Sequence, residues 1–92
     1  MKMLEVVGAG AAGSWMLTNL GPRAASGDFA PGFMVDLMQK DLRLVLETAE
    51  ATVTPLMGAA LVQQLLRSLQ AEGRGRDGTQ AIVDAVARLS GR

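Results

Sequence analysis

"LEVVGAGAAGSWML", residues 4–17, decides between two folds. Gly8, Gly10 and Gly13 fit G-x-G-x-x-G, the turn that joins a strand to a helix around a dinucleotide pyrophosphate. The turn works only inside a βαβ unit. The helix N-terminus must face the phosphates, and a second parallel strand must carry an acid to the ribose. "MLEVV" (3–7) supplies one candidate strand, but no second one follows. The segment after Gly13 meets Gly21-Pro22 within about two helical turns. "RAASGDFAPG" (23–32) has no β-branched run, and its Asp28 sits in a Gly-Asp turn. A lone strand has no sheet to join, so the glycine match is an accident of small residues. The first thirty residues then read as a helical stub near 3–7, a short helix near 14–20 and a connection to Phe29.

Downstream of the Pro31-Gly32 breaker every apolar segment has helical spacing. Over 33–52, Val35, Met38, Leu42, Val45, Leu46 and Ala49 make one face. Asp36, Lys40, Arg43 and Glu47 make a charged stripe, with Asp36 and Lys40 in the favourable i, i+4 order. Thr54-Pro55 reads as a helix cap followed by proline in the first turn, opening a helix over 55–72. That helix is apolar over much of its circumference, through Leu56, Met57, Leu61, Leu65, Leu66 and Leu69. Such a helix is central in its domain or covered by a partner, which predicts a homodimer or other homo-oligomer. "GRGRDGTQ" (73–80) is a loop in which Gly73 suits a helix end and Asp77 with Gln80 has capping-box spacing. A last helix over 78–89 presents Ile82, Val83, Val86 and Leu89. The expected fold is all-α, one helical domain over 1–92.

Composition narrows function further. Nine basic and nine acidic residues give zero net charge, which favours neither nucleic acid nor an anionic membrane. Arg74, Arg76, Arg88 and Arg92 read as solvated surface. The absence of Cys and His removes disulfides, the commonest metal ligands and the commonest general base, so no metal site is expected. Apolar residues reach 49%, yet the aromatics are only Trp15, Phe29 and Phe33, so the core must be aliphatic, with six Met to fill it. Trp15 reads as a packing anchor for the short helix. Glu5 interrupts the only stretch that resembles a signal peptide, and no apolar run is long enough to span a bilayer, which predicts a cytoplasmic protein.

Three blocks stand in order along the chain: "GAAGSWMLTNLGPR" (10–23), "GDFAPGFMVDLMQKDLRLVLETA" (27–49) and "GRGRDGTQAIVDAV" (73–86). Together they resemble the C-terminal helical domain of the β-hydroxyacid dehydrogenases, the family of 3-hydroxyisobutyrate dehydrogenase and tartronate semialdehyde reductase. The resemblance implies a small helical bundle like the C-terminal domain of 6-phosphogluconate dehydrogenase. It also implies a parent enzyme whose N-terminal Rossmann domain binds NAD or NADP, while the helical domain closes over substrate and mediates dimerisation. The parent reaction is reduction of a small semialdehyde or oxidation of the matching β-hydroxy acid. By the same resemblance Lys40 reaches the cofactor, with Asp41 and Phe33 as walls of its site. From periodicity alone, Lys40 reads first as part of a solvated stripe with Asp36, Arg43 and Glu47, and Phe33 equally as core packing. The family's catalytic lysine, carried on an interdomain helix, has no counterpart here, so no catalytic residue is assigned. The expectation is a catalytically incomplete module that binds no cofactor alone and meets a separate Rossmann domain. The rival expectation is a stand-alone helical oligomerisation protein that kept the fold.

Overall fold

The computed structural model describes residues 2–92. It contains α1 (Lys2–Gly8), α2 (Trp15–Ala25), α3 (Val35–Ala51), α4 (Met57–Ala71), a 3₁₀ turn (Thr79–Ala81) and α5 (Ile82–Leu89). The only β pairing among the described residues is an isolated antiparallel bridge between Met34 and Gly78. The stretch that resembled a first strand is helix α1, and the all-α expectation holds.

The glycine-rich link between α1 and α2 folds back on itself. Gly10 N–H donates to the Val7 carbonyl at 3.1 Å and Gly13 N–H to the Gly10 carbonyl at 3.0 Å. A Cβ on Gly13 would run into the Gly8 carbonyl oxygen, so glycine is required by close backbone approach and not by a phosphate. Ser14 then caps α2, its Oγ accepting from the Leu17 N–H at 3.0 Å.

The helix does not end near Leu20 as the sequence suggests, but runs through Pro22 to Ala25. A proline ring normally forces the preceding residue out of helical geometry by striking its Cβ. Here that residue is Gly21, and a Cβ on it would also lie 3.2 Å from Leu4 Cδ2, so α1 rests on α2 at this point.

Below this pair, α3, α4 and α5 pack around a buried cluster of Val35, Leu66, Leu69, Ala81 and Ala85, flanked by Phe29, Met38 and Leu42. Of the face read for α3, Val35 and Ala49 are buried and Met38, Leu42 and Leu46 are half-buried, but Val45 is exposed and lies off the inward side. The inward face of α5 is different from the one expected. Ala81 and Ala85 are buried, Ile82 is half-buried, and Val83, Val86 and Leu89 are exposed. Small residues inside allow α5 to lie close against α4, and the larger ones turn outward.

Two predicted caps are also corrected. Helix α4 starts at Met57 with no side-chain cap, because Val53 adopts a left-handed backbone and the Thr54 hydroxyl pairs with that of Thr52 at 2.8 Å. Asp77 does not cap α5. Its carboxylate takes the Arg74 Nε–H at 2.7 Å, and its carbonyl accepts the Val35 N–H at 2.9 Å. The Asp36 N–H donates to the Gly75 carbonyl at 2.8 Å, so the 73–78 loop satisfies the first free N–H groups of α3 in place of a side chain.

Candidate functional site

The loop between α2 and α3, Gly27–Phe33, is held from two sides. From α2, Arg23 Nε meets Asp28 Oδ2 at 3.2 Å, and the same guanidinium donates to the Ala30 carbonyl. From the 3₁₀ turn, Gln80 Nε2 donates to the carbonyls of Asp28 (3.1 Å) and Ala30 (3.0 Å). Asp28 Oδ1 accepts the Ala30 N–H at 3.1 Å, closing a local side-chain turn. That backbone hydrogen bond, then the one from Arg23, holds the Asp28 carboxyl below its ordinary value. Two main-chain bonds finish the arrangement: Gly78 N–H to Phe29 O at 2.8 Å and Thr79 N–H to Phe33 O at 2.9 Å.

This bracing fixes Phe33 in the wall of an open cleft of about 360 Å³, lined by Trp15, Met16, Leu20, Gly32, Phe33, Met38, Asp41 and Thr79. Phe33 lies two residues ahead of α3, not on it as expected, and Asp41 comes from the second turn of that helix. The structure thus brings Phe33 and Asp41 together. Lys40 is exposed and does not line the cleft. Nor does it pair with Asp36 among the described residues: Asp36 Oδ1 instead accepts from Gln70 Nε2 at 2.7 Å. Gln39 joins that network, donating to Gln70 Oε1 at 3.0 Å and the Gln63 carbonyl at 3.1 Å.

Two lining residues were not anticipated. Trp15 is no packing anchor, since it is 69% exposed. Its position five residues before the buried Leu20, roughly 140° away around the helix, is the signal that places it off the inward face. Thr79 is only 7% exposed, and its hydroxyl oxygen is buried without a hydrogen-bond partner among the described residues.

Electrostatics elsewhere are structural. Arg74 is not solvated surface. It pairs with Asp84 at 2.8 Å and Asp77 at 2.7 Å, and its guanidinium lies 5.2 Å from the centroid of the Phe29 ring. Its hydrogen bonds to Asp84 and then Asp77 push its already high pKa further up. Arg88 pairs with Glu72. No group of three or more His, Cys, Asp or Glu among the described residues is placed to hold a metal ion. No described helix is long and apolar enough to cross a membrane. Against a dinucleotide the cleft offers two aromatic rings and one carboxylate, while the 8–13 turn is closed on itself and cradles nothing. The residues fit one side of a ring and leave the phosphates to groups outside the cleft.

Comparison with known proteins gives a consistent picture. Residues 1–86 match the family model described as NAD-binding of NADP-dependent 3-hydroxyisobutyrate dehydrogenase. An uncharacterised oxidoreductase of Synechocystis sp. is 51% identical over 83 residues, covering 90% of this chain and 28% of that protein. A mitochondrial 3-hydroxyisobutyrate dehydrogenase-like protein of Arabidopsis thaliana is 44% identical over 89 residues, covering 97% of this chain and 27% of the other. Among solved structures, a 3-hydroxyisobutyrate dehydrogenase from Salmonella typhimurium superposes with a TM-score of 0.83 at 34% identity, over 90% of this chain and 29% of that one. The chain therefore spans between a quarter and a third of the length of the relatives it matches.

Proposed function

This chain belongs to the family described as NAD-binding of NADP-dependent 3-hydroxyisobutyrate dehydrogenase, and from that membership we propose that it supplies the helical cover of an NAD(P)-dependent β-hydroxyacid dehydrogenase. In this reading it corresponds to the C-terminal helical domain and closes over cofactor and substrate held by a Rossmann domain. The nicotinamide of the bound cofactor supplies the hydride acceptor or donor. Phe33 and Trp15 wall one side of the reacting space and exclude water from it. Lys40, free of a carboxylate partner within 4 Å among the described residues, offers its ammonium to the cofactor's anionic groups. Asp41 sits one residue further along α3 and faces the cleft. The observation that carries this reading is the convergence of Phe33 and Asp41 on one open apolar cleft.

A second role follows from α4 and α5. Met57 is 81% and Leu61 62% exposed, and Leu89, which shares a surface cleft with Leu61, is exposed as well. Apolar side chains in that number favour self-association, as the homodimer of a complete enzyme or as a stand-alone oligomerisation module.

The test is a graft. The matching segment of the Salmonella enzyme is replaced by residues 1–86 of this chain. The chimaera is expected to keep nicotinamide-linked oxidation of 3-hydroxyisobutyrate, and Lys40→Ala is expected to raise its cofactor KM by about tenfold. A folded chimaera whose kinetics ignore Lys40→Ala and Phe33→Ala alike overturns the proposal.

A further inference from the structure

Gly78 is a glycine that its own backbone does not require. Its φ of −65° and ψ of 153° suit any residue, so no left-handed conformation selects it. A side chain does. A Cβ at this position would overlap the Gln80 carboxamide, whose nitrogen would lie 2.8 Å away. Gln80 is 6% exposed, and its Oε1 is buried with no hydrogen-bond partner among the described residues. The amide nitrogen accounts for that orientation. Both Nε2 hydrogens are committed, to the carbonyls of Asp28 and Ala30, and a flipped amide would set Oε1 against those two oxygens. Oε1 is left facing the bare α-carbon of Gly78.

The other brace on this loop is not equivalent. Arg23 shares the Ala30 carbonyl with Gln80, but its pair with Asp28 is partly open to solvent and screened. Among the described residues only Gln80 donates to the Asp28 carbonyl. We propose that Gln80 is a positioning residue for the Phe33 wall, and that the bare α-carbon of Gly78 is what keeps the Gln80 carboxamide on the Asp28 and Ala30 carbonyls. The Thr79 N–H, between the two, carries the constraint to Phe33 by donating to its carbonyl. Gln80 does not line the cleft and acts through Phe33. The proposal rests on the helical-cover reading only for its kinetic consequence.

Gly78→Ala is the variant that leaves the fold standing, because the atoms nearest the added methyl belong to the end of one flexible side chain. In the purified chain, amide hydrogen exchange reads the residue-78 N–H on the Phe29 carbonyl and the Thr79 N–H on the Phe33 carbonyl. Gly78→Ala and Gln80→Ala are each expected to speed both amides about tenfold relative to their intrinsic rates, with the helical circular dichroism unchanged. Both variants unseat the same carboxamide, so Gly78→Ala is expected to add less than about twofold on the Gln80→Ala background. In the grafted enzyme each is expected to lower kcat/KM about tenfold per folded active site, and neither to lower it further when Phe33→Ala is already present. A loss of structure unrelated to Phe33 would multiply with Phe33→Ala instead. Parent-like exchange in Gly78→Ala, effects that multiply in the Gly78→Ala/Gln80→Ala double variant, or an undiminished Gln80→Ala effect on the Phe33→Ala background each overturn the inference. The two proposals fail separately: a folded graft without turnover condemns the helical-cover reading, and the exchange cycle in the chain itself still decides the role of Gln80.

Discussion

Replacing Leu69 by Ala tests the packing on which the site rests. Leu69 is fully buried in the cluster with Val35, Leu66, Ala81 and Ala85, where α3, α4 and α5 meet. Truncation removes three carbons from a site where helices on every side limit collapse, which costs about 3 kcal/mol in transfer and cavity terms together. A domain of this length has a total stability of roughly 5–14 kcal/mol, so one side chain accounts for a large share. The expected fall in Tm is about 12–24 °C. Leu61 on the same helix is the control. It is mostly exposed, and Leu61→Ala keeps helix propensity, so its cost is expected within about 0.5 kcal/mol. Urea unfolding followed by far-ultraviolet circular dichroism, at a protein concentration low enough to keep the chain monomeric, measures both. Equal costs for the two variants, or a Leu69→Ala cost below about 1 kcal/mol, would refute the orientation of α4 and the core built on it. Repeating Leu61→Ala at high concentration adds a reading on self-association. A penalty that grows with concentration is expected if a second copy covers that face.

Two further predictions concern the polar braces. Arg74→Ala breaks ion pairs to Asp77 and Asp84 and the stack on Phe29, and is expected to cost about 1–2 kcal/mol in urea unfolding; Arg74→Lys, without the planar fork, should recover only part of it. Asp28 has a folded-state pKa below its unfolded value of about 3.9. Its contribution is complete above that pH and is lost as the pH falls through the folded value, so the urea midpoint should drop with acidification below about pH 4, and Asp28→Asn should flatten that slope.

The parts of the fold visible in the sequence are those where a pattern repeats. The three- and four-residue spacing from Val35 to Ala49 needs no tertiary information, and neither does the absence of a second strand after Gly13. The misread parts depend on contacts between distant residues. Pro22 looks like a helix end until Leu4 is found packed on Gly21. Asp77 and Gln80 look like a capping pair until the loop they occupy is seen lying against residues 28–36, where Gln80 holds the Asp28 and Ala30 carbonyls. The site divides the same way. Phe33, Lys40 and Asp41 came from a resemblance in one continuous block, whereas Trp15 and Thr79 reach the cleft from segments 64 residues apart in sequence and carry no joint signal.

The misreading of α5 has a further meaning. Burial usually follows size, which predicts the large apolar residues inward, yet Ala81 and Ala85 occupy the interior while Val83, Val86 and Leu89 face out. Close approach of two helices selects small side chains at the contact, which leaves the large ones partly exposed among the described residues. The same holds on α4, where Leu66 and Leu69 point in and Met57 and Leu61 point out. A helix that is apolar on both faces is expected to have two covers, and the described residues bury only the inner face. The outer face is therefore the place where the Leu61→Ala concentration series should find the second.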